Sequence, residues 1–198
     1  MFRRLLITAI VLVLSACSAA GVMKTSDPQQ KLADAYNLLE VGRPIPAERL
    51  MNEAIAQFKE KNDFYQLGVS QFMYGQFIRS KSFDWPLFRQ QYPKTETAEQ
   101  RNALAATFFN EAIANFEKAI ADPALPHDVR TGYYWRVYLA NLELQNKSAM
   151  CASLQSMDVS NKAYQAKNPG AKVYVHPPHK TFEEFISATM SKAECNAS

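Results

Sequence analysis

The sequence predicts an all-α domain of about six to seven helices, arranged as stacked antiparallel helix pairs. Three observations favour this fold class. Apolar residues recur at intervals of three and four through most of the chain, and prolines and glycines separate the periodic segments. In addition, the sequence motif NEAIAQF at residues 52–58 recurs, with one substitution, as NEAIANF at residues 110–116. A motif that occurs in two predicted helices indicates repeated structural units that bury their apolar faces against one another.

The first residues predict an exported protein. Arg3 and Arg4 precede the apolar run LLITAIVLVL at residues 5–14, and small residues follow it. A basic start, a short apolar run and small residues are typical of a secretory signal peptide. The run is too short for a membrane-spanning helix, which takes about 20 apolar residues. An ordinary cleaved signal peptide would leave Cys17 early in the mature chain.

Residues 14–17, Leu-Ser-Ala-Cys, resemble the lipobox of bacterial lipoproteins. The resemblance implies cleavage before Cys17, a diacylglycerol thioether on its sulfur and acylation of the new amino terminus. Two or three acyl chains anchor a protein stably where one chain does not. Ser18, where an aspartate favours the inner membrane in related lipoproteins, implies the outer membrane, with the body of the protein in the periplasm. We therefore expect a lipoprotein signal peptide at residues 1–16 and a lipidated tether at residues 17–28.

The charge balance gives no indication of a nucleic-acid partner. The formal net charge of +3 falls to +1 when Arg3 and Arg4 leave with the signal peptide. The remaining chain has no basic stripe and no arginine-rich arm, which are the sequence features of nucleic-acid binding. The sequence also indicates no cofactor.

Helical periodicity and its breaks place the elements along the chain. We predict helices at residues 28–41, 46–58, 63–80, 96–121, 127–145 and 147–157, and a last one that begins at Thr181. Gly68 and Gly75 lie inside the third helix, where they favour the close approach of another helix. Residues 82–95 are predicted as a loop with one short turn of helix. Residues 158–178 are predicted as a loop, with a short extended segment possible at residues 172–176.

In the second copy of the motif, small and large residues alternate along the helix at a spacing that suits close helix packing. Ala112 allows a neighbouring helix to approach, Phe116 fills the space one turn later, Ala119 gives room again and Pro123 ends the helix. This order resembles the second helix of a tetratricopeptide repeat. The resemblance implies a repeat-like helical domain at residues 29–157, with a C-terminal loop and helix at residues 158–198 packed on it. A divergent repeat array and another helical-hairpin fold of similar packing both fit this pattern.

The cysteines predict one disulfide. If Cys17 is lipidated, Cys151 and Cys195 remain, and an even pair in an oxidising compartment favours a disulfide over two buried free thiols. Closing a loop of this length stabilises a fold by about 4 kcal/mol on the chain-entropy model. The bond would hold the C-terminal helix against the body.

Aromatic residues are the most unusual feature of the composition. Most of those between residues 58 and 92 are expected in the core, but Trp85, Phe88 and Tyr92 lie in a proline-bounded segment that interrupts the repeat. Exposed aromatic side chains on a helical scaffold are typical anchors of protein interfaces. We therefore predict partner contacts at these three residues, and at Tyr133 and Tyr134 on the same side of the domain.

Motifs of catalysis are scarce. The chain has no phosphate-binding glycine loop, no HExxH and no GxSxG. His176 and His179 flank two prolines and Glu183 follows, but a zinc site takes three or four ligands, so no metal or catalytic site is assigned.

The functional expectation is a membrane-anchored periplasmic module that binds an envelope protein or peptide. It would serve as a scaffold or accessory factor of an envelope machine, or as an immunity lipoprotein. The alternative is an envelope hydrolase that uses His176, His179 and Glu183.

Overall fold

The computed structural model describes residues 25–195 except 172, 174 and 176, and it confirms the all-α fold. Within the described residues the chain forms eight α-helices and no strand. The helices are α1 Pro28–Glu40, α2 Pro44–Glu60, α3 Phe64–Arg79, α4 Pro86–Gln91, α5 Ala98–Ile120, α6 His127–Glu143, α7 Lys147–Lys167 and α8 Phe182–Lys192. The count exceeds the prediction because the segment at residues 82–95 folds into a 3-10 turn, Lys81–Asp84, followed by α4. Residues 1–24, and with them the predicted signal peptide and Cys17, lie outside the described residues.

Three connections between helices share one turn geometry. Residues 41–43, 61–63 and 144–146 join α1 to α2, α2 to α3 and α6 to α7. The middle residue of each, Gly42, Asn62 or Gln145, has a positive φ of 71°, 54° or 56°. In each turn the next amide donates to the carbonyl five residues back, as Arg43 N does to Leu38 O at 2.8 Å. This hydrogen bond closes the last turn of a helix and reverses the chain, so that consecutive helices pack side by side.

The interface between α3 and α5 confirms the close approach predicted at the two glycines. A Cβ atom on Gly68 would lie 2.7 Å from Cε1 of Phe116, and one on Gly75 would lie 2.7 Å from Cε1 of Phe109. The glycines are seven residues apart on α3 and the phenylalanines are seven apart on α5 in the opposite order, so the two helices run antiparallel. Each fully buried ring occupies the space that a missing side chain leaves.

Helix α6 runs parallel to α3, and both pack against α5. At one end the rings of Tyr65 and Tyr133 stack with their centroids 4.0 Å apart. At the other end Nη1 of Arg79 lies 2.8 Å from Oε2 of Glu143. The hairpin of α3 and α5 is therefore followed by the hairpin of α6 and α7 in the same orientation.

Helix α7 corrects the prediction of a loop from residue 158. The helix continues ten residues beyond the predicted end, to Lys167, and the domain boundary predicted after residue 157 falls inside it. The buried residues of this part are Ser160 and Asn161, and the Ser160 hydroxyl donates to the carbonyl of His127 at 2.9 Å. Because these buried residues are polar, hydrophobic periodicity does not reveal this part of the helix.

The predicted disulfide is present. Cys151 in α7 and Cys195 after α8 are bonded, with their Cα atoms 5.4 Å apart. Nζ of Lys147 lies 3.0 Å from Oε2 of Glu194 beside the bond. The C-terminal helix is therefore joined to the start of α7 by a covalent bond as well as by apolar packing.

Candidate partner-binding site

The aromatic segment at residues 82–95 divides into a buried part and an exposed part. Phe83 and Phe88 stack on each other with centroids 5.4 Å apart, and both meet the ring of Phe77 edge-on, at 5.5 and 5.3 Å. Phe88 is 1% exposed, so the prediction that it is an exposed partner contact is wrong. The physical reason is that α3 ends at Arg79 with Phe77 in its last turn, and the two phenylalanines of the following segment cover that ring.

Tyr92 is half-buried, and its hydroxyl points inward. It lies 2.7 Å from the hydroxyl of Tyr74 and 3.2 Å from Oε1 of Glu48. Burial is the first cause that raises the pKa of both tyrosines above the ordinary value, and the Glu48 carboxylate adds to it. Both phenols are therefore neutral hydrogen-bonding groups at physiological pH. The hydroxyl of Tyr92 attaches the segment to the helices beneath it, so Tyr92 is not a freely exposed ring.

The exposed part consists of Trp85, Pro86 and Leu87, which we call the apex. Trp85 is 47% exposed and Leu87 is 45% exposed. Trp85 directly precedes α4, Pro86 is its first residue, and buried Phe83 and Phe88 flank the three residues in sequence. The Asp84 carboxylate is paired with Arg101 of α5. The apex therefore presents two large apolar side chains from a backbone that is held on both sides.

The apex and the amino terminus lie at opposite ends of the helices. Helix α1 begins at Pro28, α2 returns, and α3 begins again at the first end and runs to Arg79, where the aromatic segment follows. The 16 residues of α3 correspond to about 24 Å. The apex is therefore separated by the length of a helix from the place where the predicted tether joins the domain.

Tyr133 and Tyr134 point to different neighbours. Tyr133 stacks on Tyr65 of α3, whereas Tyr134 packs with the cluster of α6, α7 and α8 and borders a cleft of about 370 Å³ between α6 and α7. Neither ring is fully exposed. The structure does not bring these two residues together with Trp85, because Tyr133 stacks on Tyr65 at the start of α3, whereas Trp85 follows the end of that helix.

Two of the three residues of the alternative hydrolase, His179 and Glu183, lie in the described part of the chain. His179 meets the ring of Phe185 edge-on at 5.7 Å, and Glu183 is exposed in the first turn of α8. His176 lies outside the described residues. No three histidine, cysteine, aspartate or glutamate side chains among the described residues are placed to hold a metal ion.

Two residues of this site were not identified from the sequence. Leu87 is exposed beside Trp85, and Glu48 is buried beneath Tyr92. The position of Glu48 in the sequence does indicate that it is buried, because it lies three residues before buried Met51 on the apolar face of α2. A carboxylate at such a position is buried with its hydrogen-bonding partners.

Comparison of the chain with protein-family models, with curated proteins and with solved structures finds no match. Among the described residues no helix is long and apolar enough to cross a membrane.

Proposed function

We propose that this protein is a membrane-anchored periplasmic module that binds an envelope protein through the apex at Trp85, Pro86 and Leu87. The observation that carries the proposal is the contrast within one short segment: Phe83 and Phe88 are buried, whereas Trp85 and Leu87 between them are exposed. Tryptophan is among the residues that contribute most to protein interfaces when it is truncated to alanine. The partner is a component of an envelope machine, which this protein serves as a scaffold or accessory factor, or a toxin that it neutralises as an immunity lipoprotein.

The position of the apex supports a protein partner over the anchoring membrane. Acyl chains on Cys17 would hold the residues before Pro28 at the outer membrane, and the apex lies about one helix length, some 24 Å, from that end. The exposed tryptophan is then directed into the periplasm. The parallel placement of α3 and α6 on α5 further supports a repeat-like stack of hairpins as the scaffold.

The test is site-directed photo-crosslinking in the native envelope, with the photoreactive amino acid in place of Leu87. We expect a discrete adduct that mass spectrometry identifies as one protein, and a loss of about 10-fold or more in its yield when Trp85 is changed to alanine. Tyr36→Ala is the matched control, because Tyr36 is an aromatic side chain that is 55% exposed on α1. An adduct that persists in Trp85→Ala, or no adduct at any position of the apex, contradicts the proposal.

The anchor is tested separately by fractionation. Cys17→Ser removes the sulfur that carries the diacylglycerol, so the protein should move from the membrane fraction to the soluble periplasmic fraction. A Cys17→Ser protein that stays with the outer membrane contradicts the lipoprotein assignment and leaves the apex proposal to its own test.

A further inference from the structure

A buried carboxylate lies beneath the end of the aromatic segment. Glu48 is 8% exposed, although a charged group is costly to bury without hydrogen bonds. Four donors lie within hydrogen-bonding distance of its Oε1 atom. They are Tyr74 Oη at 2.7 Å, Asn52 Nδ2 at 2.7 Å, Tyr92 Oη at 3.2 Å and Gln91 Nε2 at 3.3 Å. The carboxylate is therefore compensated by a set of donors that converge on one oxygen.

These donors come from three helices. Asn52 is on the same helix as Glu48, Tyr74 is on α3, and Gln91 and Tyr92 are the last residue of α4 and the one after it. Glu48 thus joins the end of the aromatic segment to the two helices beneath it. It does so where α4 ends, and there the Tyr92 ring also lies 5.4 Å from the ring of buried Phe83.

Helix α4 depends on such attachments. It has six residues, and isolated helices shorter than about 12 residues are marginal in water. Its first turn follows Trp85 without a side-chain cap. The amide of Phe88 donates to Trp85 O at 3.0 Å, and the amide of Tyr92 donates to Phe88 O at 2.7 Å. The direction in which Trp85 and Leu87 point is therefore set by what holds the two ends of the segment.

We propose that Glu48 is a positioning residue for partner binding: its carboxylate holds Gln91 and Tyr92 and thereby fixes the orientation of the Trp85–Leu87 apex. The inference rests on the proposed function for its biological meaning, but the positioning itself is a property of the isolated protein. Glu48 touches no partner, because it lies under the segment, and it acts on binding through Tyr92.

The substitutions that separate this role from general stability are Glu48→Gln and Glu48→Ala. The glutamine keeps an oxygen in the place of Oε1 and can still accept from Tyr74 or Tyr92. Alanine removes this shared acceptor, so the two hydroxyls can bond only to each other and one of their two protons has no acceptor among these residues. Asn115→Ala is the matched control. Asn115 is a buried polar residue of α5 whose amide donates to Gln71 at 2.7 Å and to Glu111 O at 3.0 Å, so these hydrogen bonds lie outside the segment.

The fluorescence of Trp85 can be used to measure how firmly the segment is held. The chain has two tryptophans, and Trp135→Phe leaves Trp85 as the only one while it keeps an aromatic ring against Tyr138 and Phe185. In this background we would measure the fluorescence anisotropy of Trp85 and its quenching by acrylamide. Hydrogen–deuterium exchange of the amides of residues 86–95 would be followed in the same proteins.

The expected result is specific to the segment. Glu48→Ala lowers the anisotropy of Trp85 and accelerates exchange at residues 86–95 about tenfold or more, with little change in α6 and α7. Glu48→Gln retains most of the parent behaviour, and Asn115→Ala retains it fully despite its lower stability. Unchanged anisotropy and exchange in Glu48→Ala, or an equal acceleration throughout the chain, overturns the proposal.

The photo-crosslink from position 87 then links positioning to binding. A Glu48→Ala protein with a released segment should give a lower adduct yield, and Glu48→Gln should restore it. If the segment is released but the adduct yield does not change, Glu48 does not position the binding residues and the inference fails. If no adduct forms even in the parent protein, the proposed function fails while the fluorescence result stands.

Discussion

Replacement of Gly68 by alanine should destabilise the protein, although alanine favours helices. In an unobstructed helix this change would gain about 1 kcal/mol of helix propensity. Here the new Cβ would lie 2.7 Å from Cε1 and 2.8 Å from Cδ1 of Phe116, and 3.1 Å from the carbonyl oxygen of Ala112. Ordinary contacts begin near 3.4 Å, so the ring or the helix must move by about 0.7 Å.

The size of the stability loss follows from the balance between the cost of overpacking and the gain in helix propensity. Phe116 is fully buried and the third contact is with backbone, so neither neighbour can turn aside into solvent. Because neither neighbour can yield, we take the upper part of the usual cost of overpacking, about 2–3 kcal/mol. The propensity gain offsets about 1 kcal/mol of it, which leaves a loss of about 1–2 kcal/mol. Urea unfolding, followed by circular dichroism at 222 nm, measures this loss in the free energy of unfolding. In thermal unfolding, a loss of this size should lower the melting temperature by about 2–8 °C.

The control is the same substitution at Gly132 in α6, where a Cβ meets nothing within 4 Å. Gly132→Ala should raise the free energy of unfolding by up to about 1 kcal/mol. Phe116→Leu in the Gly68→Ala background should recover part of the loss, which a double-mutant cycle measures as a coupling of about 1 kcal/mol or more. If Gly68→Ala proves as stable as Gly132→Ala and shows no coupling to Phe116, the close approach of α3 and α5 is refuted.

Three further outcomes follow from single features. Cys151→Ser with Cys195→Ser opens a loop whose ends are 44 residues apart, so the free energy of unfolding should fall by about 4 kcal/mol; equal stability of the oxidised and reduced protein would contradict this. Gln145→Gly should stabilise by about 1 kcal/mol, because φ is 56° there, whereas Gln145→Ala should not. Stability should fall above pH 10, because burial and the Glu48 carboxylate keep Tyr74 protonated in the folded state while the unfolded chain loses that proton; Tyr74→Phe should make alkaline unfolding less steep, and an unchanged pH profile would contradict the assignment.

Much of the helical scaffold was predictable from the sequence because its determinants are local or regularly spaced. Proline and polar residues mark the starts of most helices, and Gly68 and Gly75 indicated the close approach of another helix before that helix was known. The extension of α7 was not predictable in this way, since its buried residues, Ser160 and Asn161, are polar. Only the position of α6, which brings the His127 carbonyl to Ser160, shows why those residues are helical.

The candidate site was predictable as a segment but not as individual residues. A helix of six residues is less than two turns long, so its sequence does not define a buried face. Which aromatic ring is buried depends on Phe77, which lies at the end of α3 and meets Phe83 and Phe88. The same reasoning explains why the support from Glu48 was missed, because its partners at residues 91 and 92 are distant in sequence.

Single exposed apolar side chains are ordinary on protein surfaces and indicate no binding by themselves. Val129 and Val159 are of this kind, because each is exposed singly on a long helix. Trp85 and Leu87 differ in that they share a short segment whose own core requirement is already met by Phe83 and Phe88. A segment that only covered the end of α3 would need no further apolar residue. The two exposed side chains are therefore better explained by contacts outside the chain than by the stability of the fold.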